Sequence, residues 1–390
     1  MYKVQTLNKI AKIGLDVLAE GDYTVGDAVE NPDAILVRSA KMHDMTFGSK
    51  LLCVARAGAG TNNIPSDRCA EEAIVVFNTP GANSDAVKEL VLCALLISSR
   101  DVIGGIDWVH SIAENGDEIP ALVEAGKNAF TGPELSGKTL GVVGLGAIGA
   151  KIANDAARLG MKVYGYDPYL SVDAAWRLRT NIRHAKDLQT IYRNCDYITI
   201  HVPYMDSTHH LINTEALSVM RPGVRIINLA RAELVCDDDI LSAIDSGKVA
   251  CYVTDFPNAK TAGAKGVIAI PHLGASTPES EEKCALMAAE EIRDYLENGN
   301  IANSVNMPYA SMPRVPGSSR LCVFHRNKPD MIAQITRVIS AHGLNIENMH
   351  NAGVRGHDMA YTMIDLPFAG EKLTEDIRAL DDIVRVRLLG

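Results

Sequence analysis

Gly144-x-Gly146-x-x-Gly149, in the stretch "TLGVVGLGAIG", places three glycines at the spacing by which a backbone comes close to a diphosphate. The residues around it supply the rest of such a site. Thr139 to Val143 reads as a buried parallel strand, and Ala147 to Leu159 sets Ile148, Ile152, Ala156 and Leu159 on one helical face, closed by Gly160. Gly144 then allows the tight turn, Gly146 the approach of the pyrophosphate, and Gly149 the packing of helix on strand. The amides at the helix start, including those of Ala147 and Ile148, would face the phosphates. A second strand, "MKVYGYDP", ends in Asp167, whose carboxylate suits the adenosine ribose hydroxyls. That carboxylate would repel a 2′-phosphate, and Pro168 and Tyr169 offer no cation to receive one, so the expected cofactor is NAD.

The elements that position this loop are legible on both sides. Before it, "AILVRS", "LLCVARAGAG" and "AIVVFNTPG" read as strands ending in polar or Gly-rich turns, a small parallel α/β unit of its own. Ser84 is a candidate cap for an apolar helix over "DAVKELVLCALLIS". After it, "YITIHVP", "VRIINLAR", "ACYVTDF" and "GVIAIPH" extend the second sheet. Thr277-Pro278 starts a long amphipathic helix that ends at Gly299. Residues 306–319 lose all periodicity and read as a linker, and residues 320–390 restart as strand, helix, strand, strand, helix, strand. That βαββαβ order predicts a ferredoxin-like module.

Three residues stand just beyond predicted strands of the second sheet: Arg231 in "NLARAELV", Asp255 in "VTDF" and His272 in "PHLGAST". Ligands of open α/β sheets bind at that carboxyl edge. Together with the Gly loop they resemble the D-isomer-specific 2-hydroxyacid dehydrogenases, over essentially the whole chain. The resemblance implies an α/β fold in which a Rossmann NAD-binding domain (91–278) is inserted into a flavodoxin-like substrate domain (1–90 and 279–305), followed by a ferredoxin-like ACT module (320–390). It explains why the Gly loop arrives so late in the chain.

What the resemblance implies for the residues has a chemical rationale. Oxidising a 2-hydroxy acid takes a proton from the hydroxyl while hydride leaves the same carbon, which calls for a base and a carboxylate anchor. His272 is the natural base. Arg231 would grip the substrate carboxylate and polarise the developing carbonyl. Asp255 would hold the nicotinamide carboxamide, with Ala230 and Ala275 nearby and Val202 and Pro203 of "HVP" beside adenine. The amides of Gly58, Ala59 and Gly60 would form a small anion nest for the carboxylate. Arg38 matches a phosphate-facing arginine, with Arg56 and Lys41 as further cations, so the substrate expected is a phosphorylated 2-hydroxy acid, 3-phospho-D-glycerate; glycerate or lactate is the alternative. His325, Asn327 and Asn345 match positions where ACT modules hold serine, and as polar groups at strand ends and caps they also have ordinary structural uses. Such modules pair, which implies a homo-oligomer.

The sequence departs from the family at Lys260, where a Glu normally supports the catalytic His. An ammonium beside an imidazole acts on it in the opposite sense to a carboxylate. Three readings stand: Lys260 points to solvent, it tunes a site in which His272 works without an acid partner, or it moves the proton itself. A non-enzymatic NAD-sensing scaffold is the reading from another class.

Composition narrows the remaining classes. The net charge of −10 argues against general attraction to nucleic acid or anionic membrane. The eight cysteines show neither C-x-x-C pairs nor zinc-type spacing, so no metal is expected. The N-terminus lacks a signal-peptide core and the longest apolar run is too short to span a bilayer, so the expected location is the cytoplasm.

Overall fold

The computed structural model describes residues 1–19, 21–353 and 358–390. It divides into two compact units, one made of residues 1–83 and 278–390, the other of residues 84–277. The first boundary falls at the start of the helix Ser84–Ser99, not within it as the sequence reading had placed it. Val87, Val91, Ala94 and Leu95 of that helix are buried with Leu140, Val142 and Val253 of the second unit.

The first unit carries a five-stranded sheet of order β2-β1-β3-β4-β5, from β1 (Tyr2–Leu7), β2 (Tyr23–Gly26), β3 (Ala34–Val37), β4 (Cys53–Arg56) and β5 (Val75–Phe77). All its pairings are parallel, the flavodoxin-like order. β3, β4 and β5 are the apolar runs seen in the sequence. β1 and β2 are additional: partly exposed and mixed in polarity, they carry no continuous apolar run.

The second unit holds a seven-stranded parallel sheet built from β6 (Thr139–Val143), β7 (Lys162–Tyr166), β8 (Arg183–His184), β9 (Tyr197–Ile200), β10 (Val224–Asn228), β11 (Val249–Thr254) and β12 (Val267–Ala269). Its order, β12-β11-β10-β9-β6-β7-β8, is that of a doubly wound nucleotide-binding sheet. The helix after the Gly loop spans Ala147–Arg158 and buries Ile152 and Ala156. Leu159, expected on that buried face, lies past the last turn and is largely exposed. Gly160 follows with φ +84°, a conformation that ends a helix.

In the tail, β13 (Ser319–Arg326), β14 (Asn348–Gly353), β15 (Met359–Leu366) and β16 (Ile383–Leu389) pair antiparallel in the order β14-β15-β13-β16. With helices Met331–Ala341 and Glu371–Arg378 this is the ferredoxin-like βαββαβ arrangement. The tail is not a compact unit of its own. Cys322, Phe324, Tyr361 and Met363 share one buried core with Phe77, Tyr295 and Leu296. The segment read as a linker is packed too, with Met307, Ala310 and Met312 buried and Ile301 bridged to Ala310.

The tail also closes the C-terminus of the long helix Pro278–Asn298. The last carbonyls of a helix lack intrahelical donors. Here Arg387 donates to the carbonyls of Tyr295 and Leu296, Arg320 to that of Asn298 at 2.9 Å, and the Tyr361 hydroxyl to that of Gly299 at 2.7 Å. Cations at this end are favoured by the helix dipole as well. Arg320 is fully buried and is held by both oxygens of Asp365 at 2.7 and 2.8 Å. Among the described residues, no helix is long and apolar enough to cross a membrane.

Candidate active site

The Gly loop has the geometry of a diphosphate cradle. Gly144 has φ +91°, and a Cβ there would stand 2.6 Å from the His201 carbonyl oxygen. At Gly149 a Cβ would meet the Gly144 carbonyl oxygen at 1.9 Å, so helix and strand approach as only glycine allows. At Gly146 nothing lies within 4 Å of the added atom: that side of the backbone is open. No side chain caps the helix that follows, leaving the first-turn amides of Ala147, Ile148 and Gly149 without an intrahelical acceptor. Donors and space therefore fit a dinucleotide. Asp167 follows β7 and accepts from the Leu145 amide and the Tyr169 amide, each at 2.9 Å. It ties the end of the second strand to the Gly loop, a role the spacing alone did not disclose.

Arg231, Asp255 and His272 follow β10, β11 and β12, which are neighbours in the sheet. Parallel strands end on one edge, so adjacency brings the three loops together. Asp255 is 1 % exposed, and neither carboxylate oxygen has a hydrogen-bonding side chain or backbone group among the described residues within bonding geometry. Burial raises its pKa, and the charges of His272 and Arg231, with backbone amides, act against that rise. The carboxyl is the group on which both expected catalytic side chains act. His272 is exposed at the surface of the loop and its ring lies 4.8 Å from that of Phe256. Ala275 is half-buried three residues further on.

Asn228 is a residue the sequence reading missed. Fully buried at the end of β10, it donates from Nδ2 to the Arg231 carbonyl at 2.8 Å and accepts from the amides of Ala230 and Arg231 at 3.2 and 3.4 Å. One side chain thus shapes the turn that presents Ala230 and Arg231. The signal was present as an amide at a strand end, where polar side chains commonly close turns.

Of the three readings of Lys260, the geometry supports the one in which it points to solvent. Its Nζ is bound to both oxygens of Asp238, with the side chain 53 % exposed. The helix Asp237–Asp245 opens with three aspartates, which draw the ammonium outward. Asn258 is held in the same way by Asp237 at 2.8 Å.

In the first unit, Arg38 pairs with Glu281 at 2.5 Å, both about two-fifths exposed. Arg56 donates from Nε to the Arg38 carbonyl at 3.0 Å and folds over Gly58, where a Cβ would meet its guanidinium at 2.6 Å. The carbonyls of Gly58 and Ala59 accept from the Thr79 amide at 3.1 Å and from Asn78 Nδ2 at 2.5 Å. Lys41 is exposed. In the tail, the effector assignment fails at His325, which is 2 % exposed with its ring nitrogens 2.8 Å from the Arg326 carbonyl and 2.9 Å from the Thr362 hydroxyl. The first bond stays within β13 and the second joins β13 to β15, so both ring nitrogens are engaged. Asn327 and Asn345 are exposed.

A family model described as D-isomer specific 2-hydroxyacid dehydrogenase, NAD binding domain, matches residues 105–274. A D-3-phosphoglycerate dehydrogenase of Synechocystis is 34% identical over 327 residues, covering 79% of this chain and 56% of that protein. A hydroxypyruvate reductase of Thermotoga maritima is 34% identical over 272 residues, covering 67% of this chain and 83% of that protein. The chain spans little more than half the length of the Synechocystis protein and of a similar one from Bacillus subtilis, 56% and 59%. Among solved structures, the NAD+-bound 3-phosphoglycerate dehydrogenase of Entamoeba histolytica matches with a TM-score of 0.62 at 24% identity, over 78% of this chain and 98% of that one. At that identity the match shows the fold.

Proposed function

Since the chain belongs to the D-isomer specific 2-hydroxyacid dehydrogenases, we propose that it oxidises 3-phospho-D-glycerate to 3-phosphohydroxypyruvate with NAD, as the entry to serine synthesis. The observation that carries the chemistry is that Arg231, the buried Asp255 and His272 follow the adjacent parallel strands β10, β11 and β12, at the edge of the sheet that also bears the Gly144 loop. NAD, held by the Gly144–Gly149 loop and by Asp167, supplies the hydride acceptor. The chain's own residues handle the proton and the charge. His272 takes the hydroxyl proton as the carbonyl forms. Arg231 binds the substrate carboxylate and stabilises charge on the developing carbonyl oxygen. Asp255, expected from the resemblance to hold the nicotinamide carboxamide, is assigned instead the role of favouring the imidazolium that proton transfer creates, since its buried carboxyl follows the strand beside that of His272. The phosphorylated acid is supported by Arg38 and by the names of the relatives.

The test is to supply NAD with 3-phosphoglycerate, glycerate or lactate and follow NADH absorbance. Phosphoglycerate is expected to have the highest kcat/KM, and His272→Ala to lower kcat by about 10²–10⁴-fold. Equal turnover of glycerate would remove the phosphate assignment, and no NADH with any acid would restore the NAD-sensing scaffold. Two finer points belong to the same reading. The helices Val102–Ser111 and Ile119–Gly126 bury none of their residues and expose Val102, Ile103, Ile106 and Val109, which supports a homo-oligomer. Serine remains a candidate effector through Asn327 and Asn345, to be tested by calorimetry, and the eight free cysteines favour a reducing compartment.

A further inference from the structure

Glu291 lies on the helix Pro278–Asn298, 8 % exposed, beside a cavity of about 240 Å³ lined by Phe77, Met287, Glu290, Asp294 and Asn303. Its Oε1 accepts from Asn303 Nδ2 at 2.6 Å. Its Oε2 is buried without a hydrogen-bonding partner among the described residues. The groups that face it are acidic or neutral: Glu290 and Asp294 from its own helix, Asn303 from the following segment, and the Cys53 thiol from β4. The nearby Arg387 of β16 is committed to the carbonyls of Tyr295 and Leu296. Burial pushes the Glu291 carboxyl up to about 8, so it is neutral over most of the physiological range.

A continuous chain of hydrogen bonds leads from this carboxyl to the Gly58–Gly60 loop. The Asn303 carbonyl accepts from the Asn78 amide at 3.2 Å. Asn78 Nδ2 donates to the Ala59 carbonyl at 2.5 Å, and the Thr79 amide to the Gly58 carbonyl at 3.1 Å. A peptide unit is planar with its C=O and N–H pointing opposite ways. Fixing the carbonyls of Gly58 and Ala59 therefore aims the amides of Ala59 and Gly60, which make no hydrogen bond among the described residues. We propose that Glu291 is a positioning residue: through Asn303, Asn78 and Thr79 its uncharged carboxyl group orients the Ala59 and Gly60 amides toward the substrate carboxylate. This rests on the reading of that loop as the carboxylate nest. Ionisation would strengthen the acceptor that Asn303 uses, but it would place a charge beside Glu290 and Asp294 on a carboxylate whose second oxygen has no donor among the described residues, drawing water into the cavity and shifting the carboxylate, with Asn303, from its seat.

The test uses the full chain with Glu291→Gln, which keeps the acceptor without the titration, and Glu291→Leu, which removes both. Two quantities are followed from about pH 6 to about pH 10: hydrogen exchange of the peptide covering residues 57–62, expressed relative to the intrinsic amide rate at each pH, and KM for the hydroxy acid with kcat alongside. In the unaltered protein, loop exchange and KM should rise together through pH 8, KM by about tenfold, with kcat little changed. The Gln variant should hold the low values at every pH and the Leu variant the high ones. A Gln variant that titrates like the parent, or a Leu variant with unchanged loop exchange, overturns the proposal. If loop exchange follows Glu291 while KM does not, the coupling stands and the carboxylate-nest reading fails, and with it the role in substrate binding.

Discussion

Lys260 Nζ sits 2.7 and 2.8 Å from the two oxygens of Asp238, on the surface and bound to a helix N-terminus. It occupies the sequence position where the family has a Glu, and its ammonium is committed to Asp238. Lys260→Ala should change kcat by less than about twofold, as expected for an exposed pair. Asp255→Asn should lower kcat/KM by at least about tenfold, because the positive charge formed on the base loses its neighbouring carboxylate. Steady-state rates across pH check both, and a large loss in the Lys260 variant alone would reinstate that residue.

Arg38 bears its own competitor for an anionic substrate. Its guanidinium is paired with Glu281, and both groups are exposed enough for the pair to be weak. Glu281→Gln should lower KM for 3-phosphoglycerate by about two- to fivefold and leave KM for glycerate unchanged, while Arg38→Leu raises the former only. Parallel KM series for the two acids decide it.

Asn228 acts on catalysis from beneath the sheet edge. Asn228→Ala removes three bonds to the Ala230–Arg231 turn and leaves buried groups unpaired, at about 1–3 kcal/mol. A lower melting temperature together with a kcat/KM loss exceeding that of a merely destabilised protein is expected, measured well below the melting range.

The tail modules of many proteins can be removed, but here the tail is the cap of a helix in the first unit. Arg387→Met should destabilise by about 1–3 kcal/mol, since the carbonyls of Tyr295 and Leu296 lose a charged donor and keep only the Gly299 amide and the Tyr2 hydroxyl. Removing residues 318–390 exposes the core shared by Tyr295, Phe324 and Tyr361, and a soluble product with undiminished melting temperature would contradict this.

Glu291 ties stability to pH. Its carboxyl is raised from 4.5 to about 8 in the folded chain, so the folded state binds the proton more tightly than the unfolded state. Its contribution is therefore complete below about pH 4.5 and is lost as pH rises through about 8. Across that window Glu291→Gln should gain stability relative to the parent, by on the order of a few kcal/mol. Urea titrations of both proteins at several pH values measure the difference.

The sequence by itself determined the Gly144 loop, the helix behind it, the parallel strands around it and the βαββαβ tail, because each is written in neighbouring residues: glycine spacing, apolar runs, turn residues. Arg231, Asp255 and His272 were legible as candidates for the same reason, each standing next to a strand end. Only the tertiary structure decided which charges meet. Asp255 and His272 follow paired strands, β11 and β12, Lys260 is held on the surface by Asp238, and His325 is bonded to Thr362 across the β13–β15 pairing. The tail's role as a cap depends on Arg387 and Tyr295, far apart in the chain and joined through one core. Hydrogen bonds and ion pairs act over a few ångströms, and at such sequence separations that proximity is set by strand order and packing rather than by local pattern.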